Sequence, residues 1–100
     1  MIRHVVMWRF LDEAHGKTKE ENLDIVRERL LGLKNIIPEI RNMHVGKDET
    51  HSEMSYDMAL MIDFDSKDDM ATYQCHPEHV KISQYVKGAR SDRACVDFEL

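Results

Sequence analysis

Ile2-Arg3-His4-Val5-Val6-Met7-Trp8-Arg9-Phe10 opens the chain with an apolar residue at nearly every position from His4 to Trp8, His4 itself apart. A run of this kind predicts a strand covered on both faces, in the middle of a sheet rather than at its edge. One later segment has the same character. Tyr56-Asp57-Met58-Ala59-Leu60-Met61-Ile62-Asp63-Phe64 is again apolar on both faces through its middle. Two central strands, the first and the third of the chain, are therefore expected.

The segments around them supply the other elements. Thr18-Lys19-Glu20-Glu21 matches a capping box, in which a threonine hydroxyl and a glutamate carboxylate satisfy helix-start amides reciprocally. Leu23, Val26, Leu30, Leu33 and Ile37 follow at alternating spacings of three and four, the stripe of an amphipathic helix with Arg27, Glu28 and Lys34 on its other side. Pro38 disfavours helical geometry at Ile37 and ends that helix nearby.

Arg41 to Asp48 alternates Met43, Val45 and Lys47 with Asn42, His44 and Gly46, which predicts a strand with a glycine bulge or a close backbone approach. Glu49 to Ser55 is polar and reads as a loop. Ser66-Lys67-Asp68-Asp69 begins the next helix, with serine as cap and carboxylates where the helix dipole favours negative charge. Met70 and Tyr73 share one face of it. Pro77 cannot continue that helix but suits the first position of another, with His76 near its cap. His79, Ile82, Val86 and Ala89 then form a stripe, so that His79 lies on an otherwise apolar face. Ser91 to Leu100 closes the chain as a strand alternating Ala94, Val96 and Phe98 with Cys95, Asp97 and Glu99.

Strand, helix, strand, strand, helix, strand is a split βαβ plan. It predicts an α+β, ferredoxin-like domain spanning residues 1–100, with a four-stranded antiparallel sheet whose first and third strands are central. Helices on one face leave the other face needing cover. Methionines and aromatics in the strands make a homodimer, sheet against sheet, the natural solution.

Composition narrows the function. One hundred residues with 19 acidic and 14 basic side chains carry a net charge of −5, without the positive field used to bind a phosphate backbone, so nucleic acid is not an expected partner. No apolar run approaches the roughly 20 residues that span a bilayer, and Val5 to Trp8 lacks a cleavage-site pattern. A soluble, cytoplasmic protein is expected. Cys75 and Cys95 lack the dense spacing of a disulfide scaffold and read as reduced thiols.

Chemistry concentrates in Tyr73-Gln74-Cys75-His76-Pro77-Glu78-His79. His79, partly buried on an apolar face, has its charged form disfavoured and would serve as a general base; alternatively it is a core histidine satisfied by backbone or by Tyr73. Tyr73 would donate its phenolic proton or a hydrogen bond to a bound molecule, or simply pack with a wet hydroxyl. His76 and His79, with His4, allow a metal site to be imagined, but without an acidic or thiolate set a capping role for His76 is the simpler reading, and no metal is expected. His4 shares a strand face with Val6, Trp8 and Phe10 and belongs either to a pocket with His79 or to the dimer seam. His15, His44 and His51 sit in polar contexts and are expected to be solvated. Trp8 and the seven methionines are expected in core and interface packing.

Five pieces in order, Ile2 to Phe10, Ile37-Pro38-Glu39-Ile40, Val45-Gly46-Lys47-Asp48, Tyr56 to Leu60 and Tyr73 to His79, resemble the stress-responsive α/β-barrel (Dabb) domain family across essentially the whole chain. The resemblance implies a dimeric α+β barrel. That family includes plant heat-stable proteins and a polyketide cyclase whose tyrosine and histidine promote an intramolecular aldol condensation. By motif those two groups correspond to Tyr73 and His79, and a pocket-lining histidine corresponds to His4. Gln74 and Cys75 stand where the cyclase motif is apolar. The function expected is a homodimer with an apolar pocket that binds or transforms a small carbonyl compound. Tyr73 and His79 are the candidate catalytic pair, His4, Trp8 and His76 contact the ligand, and no cofactor is needed. A non-enzymatic stress-related structural protein is the alternative, and a cofactor-independent monooxygenase-like or haem-binding protein, as in other dimeric α+β barrels, a further one.

Overall fold

Four strands, in the order Asn42–Lys47, Met58–Phe64, Ile2–Phe10 and Arg90–Glu99, form an antiparallel sheet with its helices packed on one face. The computed structural model describes residues 1–100. In chain order the elements are β1 (Ile2–Phe10), β2 (Glu13–Ala14), β3 (Lys17–Thr18), α1 (Lys19–Gly32), β4 (Asn42–Lys47), β5 (Met58–Phe64), α2 (Lys67–Cys75), α3 (Pro77–Ala89) and β6 (Arg90–Glu99). The two apolar strands, β1 and β5, are the central pair. No helix is long and apolar enough to cross a membrane.

Register decides which residues meet the helices. His4 pairs with Ile62, Val6 with Leu60 and Trp8 with Met58, and all of them are buried on the helix side of the sheet. Against them α1 lays Leu23, Val26 and Leu30, also buried. Each such side chain contributes about 1.5–3 kcal/mol on full burial. Met7, Val96 and Phe98, alternate residues of β1 and β6, lie on the opposite face and stay exposed.

Helix starts follow the sequence closely. Thr18 Oγ1 accepts from the Glu21 amide at 3.2 Å while Glu21 Oε1 accepts from the Thr18 amide at 3.1 Å, closing the capping box of α1. Ser66 Oγ accepts from the Asp69 amide at 3.1 Å and caps α2. His76 Nδ1 accepts from the Glu78 amide at 3.1 Å, with Pro77 beginning α3.

Three local expectations are corrected. The first helix does not reach Ile37: α1 ends at Gly32 and the chain tightens into a 3₁₀ turn over Leu33–Asn35. The Ile37 amide still reaches Leu33 O at 2.8 Å, which keeps Ile37 fully buried although it lies outside the helix. Gly46 makes no bulge; it pairs with Ala59 in unbroken register, and a Cβ there would meet nothing within 4 Å. The register of the sheet shifts instead between Arg9 and Phe10, where β1 pairs with β6.

The third correction is a hairpin that the sequence reading lacked. β2 and β3 are joined by His15 and Gly16, at φ 54° and 72°. Two positive φ values in a two-residue loop are the signature of the type I′ turn that suits strand twist. His15 is therefore more than a solvated side chain: its Nε2 donates to Tyr85 O at 2.9 Å and its ring stacks on Tyr85 at 4.1 Å. Asn22, fully buried on α1, completes the knot by donating to Ala14 O at 3.0 Å and accepting from the Tyr85 hydroxyl at 2.6 Å.

Candidate functional site

A cavity of about 250 Å³ opens between α3 and the helix side of the sheet. β1 brings His4 and Trp8 to it, α2 brings Tyr73 and α3 brings His79. Four of the five residues singled out in the sequence thus converge. The fifth, His76, is outside the lining and spends Nδ1 on the α3 cap.

Tyr73 is fully buried, and its hydroxyl has no hydrogen-bond partner in the protein. Its ring lies 5.2 Å from that of Phe64 and 4.4 Å from that of His79, centroid to centroid. Burial pushes the phenol well above its usual range, with the charge of Arg93 opposing the rise. The group is a neutral O–H donor in the lining of the cavity. A buried hydroxyl left without a partner costs about 1–3 kcal/mol.

His79 is half-buried, and its Nδ1 lies 3.1 Å from the Gln74 carbonyl. A carbonyl only accepts, so Nδ1 carries the proton and Nε2 keeps its lone pair. Desolvation lowers the pKa of the ring below its ordinary 6.5; the Gln74 hydrogen bond opposes this, while the charge of Arg93 adds to it. At neutral pH His79 is an uncharged base.

His4, 3% exposed, is held from the other side. It pairs with Asp97 across β1 and β6, and its Nδ1 donates to Asp97 Oδ1 at 2.5 Å. The carboxylate holds a proton on Nδ1 and fixes the orientation of the ring. The His4 and Tyr73 rings meet edge to face at 6.3 Å. Asp97 was not among the residues singled out in the sequence. Its only sequence trace is the β6 alternation, which puts it on the same face as Cys95 and Glu99.

The metal set imagined from His4, His76 and His79 is not assembled. The donors that do come together are His4, Cys95 and Asp97, within 4.8 Å of one another. Their chemistry suits an oriented His–Asp pair better than a cation: Nδ1 is already committed to Asp97. The Cys95 thiol is also pushed up, by burial first and then by the Asp97 carboxylate, which keeps it protonated. Cys75 and Cys95 are both free.

Apolar wall comes from Val6, Leu30, Leu60, Ile82 and Val86, whereas Lys87, Arg90 and Arg93 stand along the remaining side. These three cations also escaped the sequence reading. Arg90 and Arg93 fall where α3 passes into β6, and only that junction turns them toward a cavity built by α2 and β1.

The family model described as the Stress Responsive A/B Barrel Domain matches residues 2–100. The chain belongs to this family. It is 31% identical to olivetolic acid cyclase of Cannabis sativa over 81 residues, covering 79% of this chain and 76% of that protein. The ferredoxin-like fold is shared with a dimeric protein of unknown function from Bacteroides fragilis, at a TM-score of 0.88 and 30% identity over 99% of this chain and 95% of the other. A hydroxynitrile lyase from Passiflora edulis superposes at a TM-score of 0.84 over 99% of this chain and 92% of its own, but at 17% identity it is evidence of the fold alone.

Proposed function

We propose that this A/B barrel domain binds a small carbonyl compound in the cavity and promotes proton transfer next to the carbonyl. The observation that carries the reading is the buried Tyr73 hydroxyl, unpartnered, beside a neutral imidazole with a free Nε2. In the reaction His79 Nε2 takes a proton from the carbon adjacent to the carbonyl, and the electron pair passes to the carbonyl oxygen. Tyr73 donates a hydrogen bond to that oxygen as charge builds on it. The enolate carbon then either attacks a second carbonyl of the same molecule, as in an aldol cyclisation, the new alkoxide oxygen taking back the proton held by His79, or is reprotonated by His79 at a different position, as in an isomerisation. His4, steadied by Asp97, brings a second imidazole near Tyr73, and Trp8 supplies flat apolar wall. The likeness to a cyclase supports this class of chemistry.

The same reading includes a homodimer. Val5, Met7, Met61, Ala94, Val96 and Phe98 share the face of the sheet away from the helices, Val96 being 55% and Phe98 42% exposed. Structural neighbours from Bacteroides fragilis and Thermobifida fusca are dimeric. Sheet-to-sheet pairing would cover this apolar face.

Hydrogen–deuterium exchange at the carbon next to the carbonyl of 4-phenyl-2-butanone, followed by NMR in deuterated buffer, tests the chemistry. The wild-type protein is expected to speed exchange above the buffer rate, and His79→Gln to remove that acceleration. Exchange at the buffer rate with wild type, while the ketone is bound, would overturn the proton-transfer reading.

A further inference from the structure

We infer that the natural ligand is an anion: an apolar-bodied keto acid whose carboxylate is held by Arg93 and Arg90, with Lys87 at the mouth of the cavity. The inference rests on the carbonyl-binding reading above and adds a charge to the ligand. The chain as a whole is acidic, at −5, yet the charged residues lining this cavity are Lys87, Arg90 and Arg93, and no aspartate or glutamate joins them. None of the three takes part in a salt bridge, whereas Arg3, Arg41 and Lys47 find carboxylates elsewhere on the molecule. An acidic protein that gathers three unpaired cations around one apolar cavity has left a place for negative charge that its own side chains do not fill.

The geometry fixes where that charge sits. Arg93 pairs with Trp8 across β6 and β1, on the helix side of the sheet. Its charge is felt by both Tyr73 and His79. A carboxylate on Arg93 therefore lies beside the reacting carbonyl, within reach of one molecule that also touches the Tyr73 hydroxyl. Guanidinium groups favour carboxylates through paired, parallel hydrogen bonds, and Arg90, half-buried at the start of β6, adds a second fork. The apolar wall of Val6, Leu60, Ile82 and Val86 receives the rest, and a cavity of about 250 Å³ suits a body of one ring or a short chain. The unpartnered Tyr73 hydroxyl, fully buried, is the second, independent mark of a missing ligand.

Calorimetry with 4-oxo-4-phenylbutanoate and its neutral amide separates the charge from the rest of the molecule, since the two share the aryl ketone and differ only at the far end. Wild type is expected to bind the acid at least about tenfold more tightly than the amide, the worth of one charge-assisted hydrogen bond. That ratio should fall as salt is raised. In Arg90→Gln/Arg93→Gln, folded by circular dichroism, it should drop to near parity. Equal binding of acid and amide by wild type overturns the inference and leaves the carbonyl-binding reading standing. A preference that survives in the double variant overturns the assignment to these arginines. Binding of neither compound by wild type overturns both the inference and the reading beneath it.

Discussion

His4 Nδ1 donates to Asp97 Oδ1 at 2.5 Å between directly paired positions of β1 and β6. The pair reaches across 93 residues of sequence and fixes a nearly buried imidazole in one tautomer. Asp97→Ala leaves that nitrogen without a partner, at a cost of about 1–3 kcal/mol in unfolding free energy. Nitrogen-15 spectra of the His4 ring should change from the Nδ1-protonated form toward the other tautomer. A ring whose tautomer is unchanged in the variant would show that Asp97 does not set it.

Tyr73→Phe separates a functional hydroxyl from a structural one. The ring keeps its packing against Phe64 and His79, and the variant loses only an O–H that has no partner. Urea unfolding should show stability unchanged or raised by up to about 1 kcal/mol, because an unsatisfied buried polar atom is removed. Binding of ketones should weaken at the same time. If the variant is instead less stable by more than about 1 kcal/mol, the hydroxyl serves the fold and the non-enzymatic reading gains.

The His79 ring titrates below 6.5, chiefly through desolvation. Its neutral form is favoured in the folded state, so between the folded pKa and 6.5 the unfolded chain holds more protons than the native one. The His79 contribution to stability is therefore full above about pH 6.5 and is lost as pH falls toward the folded pKa. Proton-transfer activity should likewise persist below 6.5. Because the Arg93 charge lowers the His79 pKa, Arg93→Gln should move its NMR titration midpoint upward. A downward or absent shift would contradict the proximity of the two groups.

Val96→Asp places a charge in the exposed apolar face of the sheet without touching the cavity. Sedimentation velocity should report a dimer for wild type and a monomer for the variant at micromolar concentration. A wild-type monomer would refute sheet-to-sheet pairing.

Gly88 and His15 form a coupled pair, since a Cβ on Gly88 would stand 2.7 Å from His15 Cε1. Gly88→Ala gains helix propensity of about 0.5–1 kcal/mol but forces His15 off the Tyr85 carbonyl, so the single change should be close to neutral. With His15→Ala already present the same change should stabilise by about 1 kcal/mol. A double-mutant cycle by chemical denaturation measures the difference, and additivity would show that the two do not interact.

Most of the frame was legible because it is written in local patterns. The capping box at Thr18, the cap at Ser66, the stripe of Leu23, Val26 and Leu30, Pro77 at a helix start and the two doubly apolar strands each follow from neighbours within a turn or two. His79 on an apolar helix face was legible for the same reason. The hairpin escaped because its strands are two residues long and its turn begins with histidine, a residue that only occasionally takes positive φ. Asn22, Asp97 and Arg93 escaped because their partners, Tyr85, His4 and the cavity, are distant in the chain.

The sequence by itself determined the order of the four sheet strands and the main helices, the central strands and the candidate pair Tyr73 and His79, since propensity, capping and periodicity act over a few residues. Only the tertiary structure decided that His4 faces the helices rather than the far side of the sheet, that Asp97 holds it, and that Lys87, Arg90 and Arg93 gather at one cavity. Those outcomes depend on strand register and on how α3 passes into β6, where a one-residue slip would carry every side chain of the strand to the opposite face.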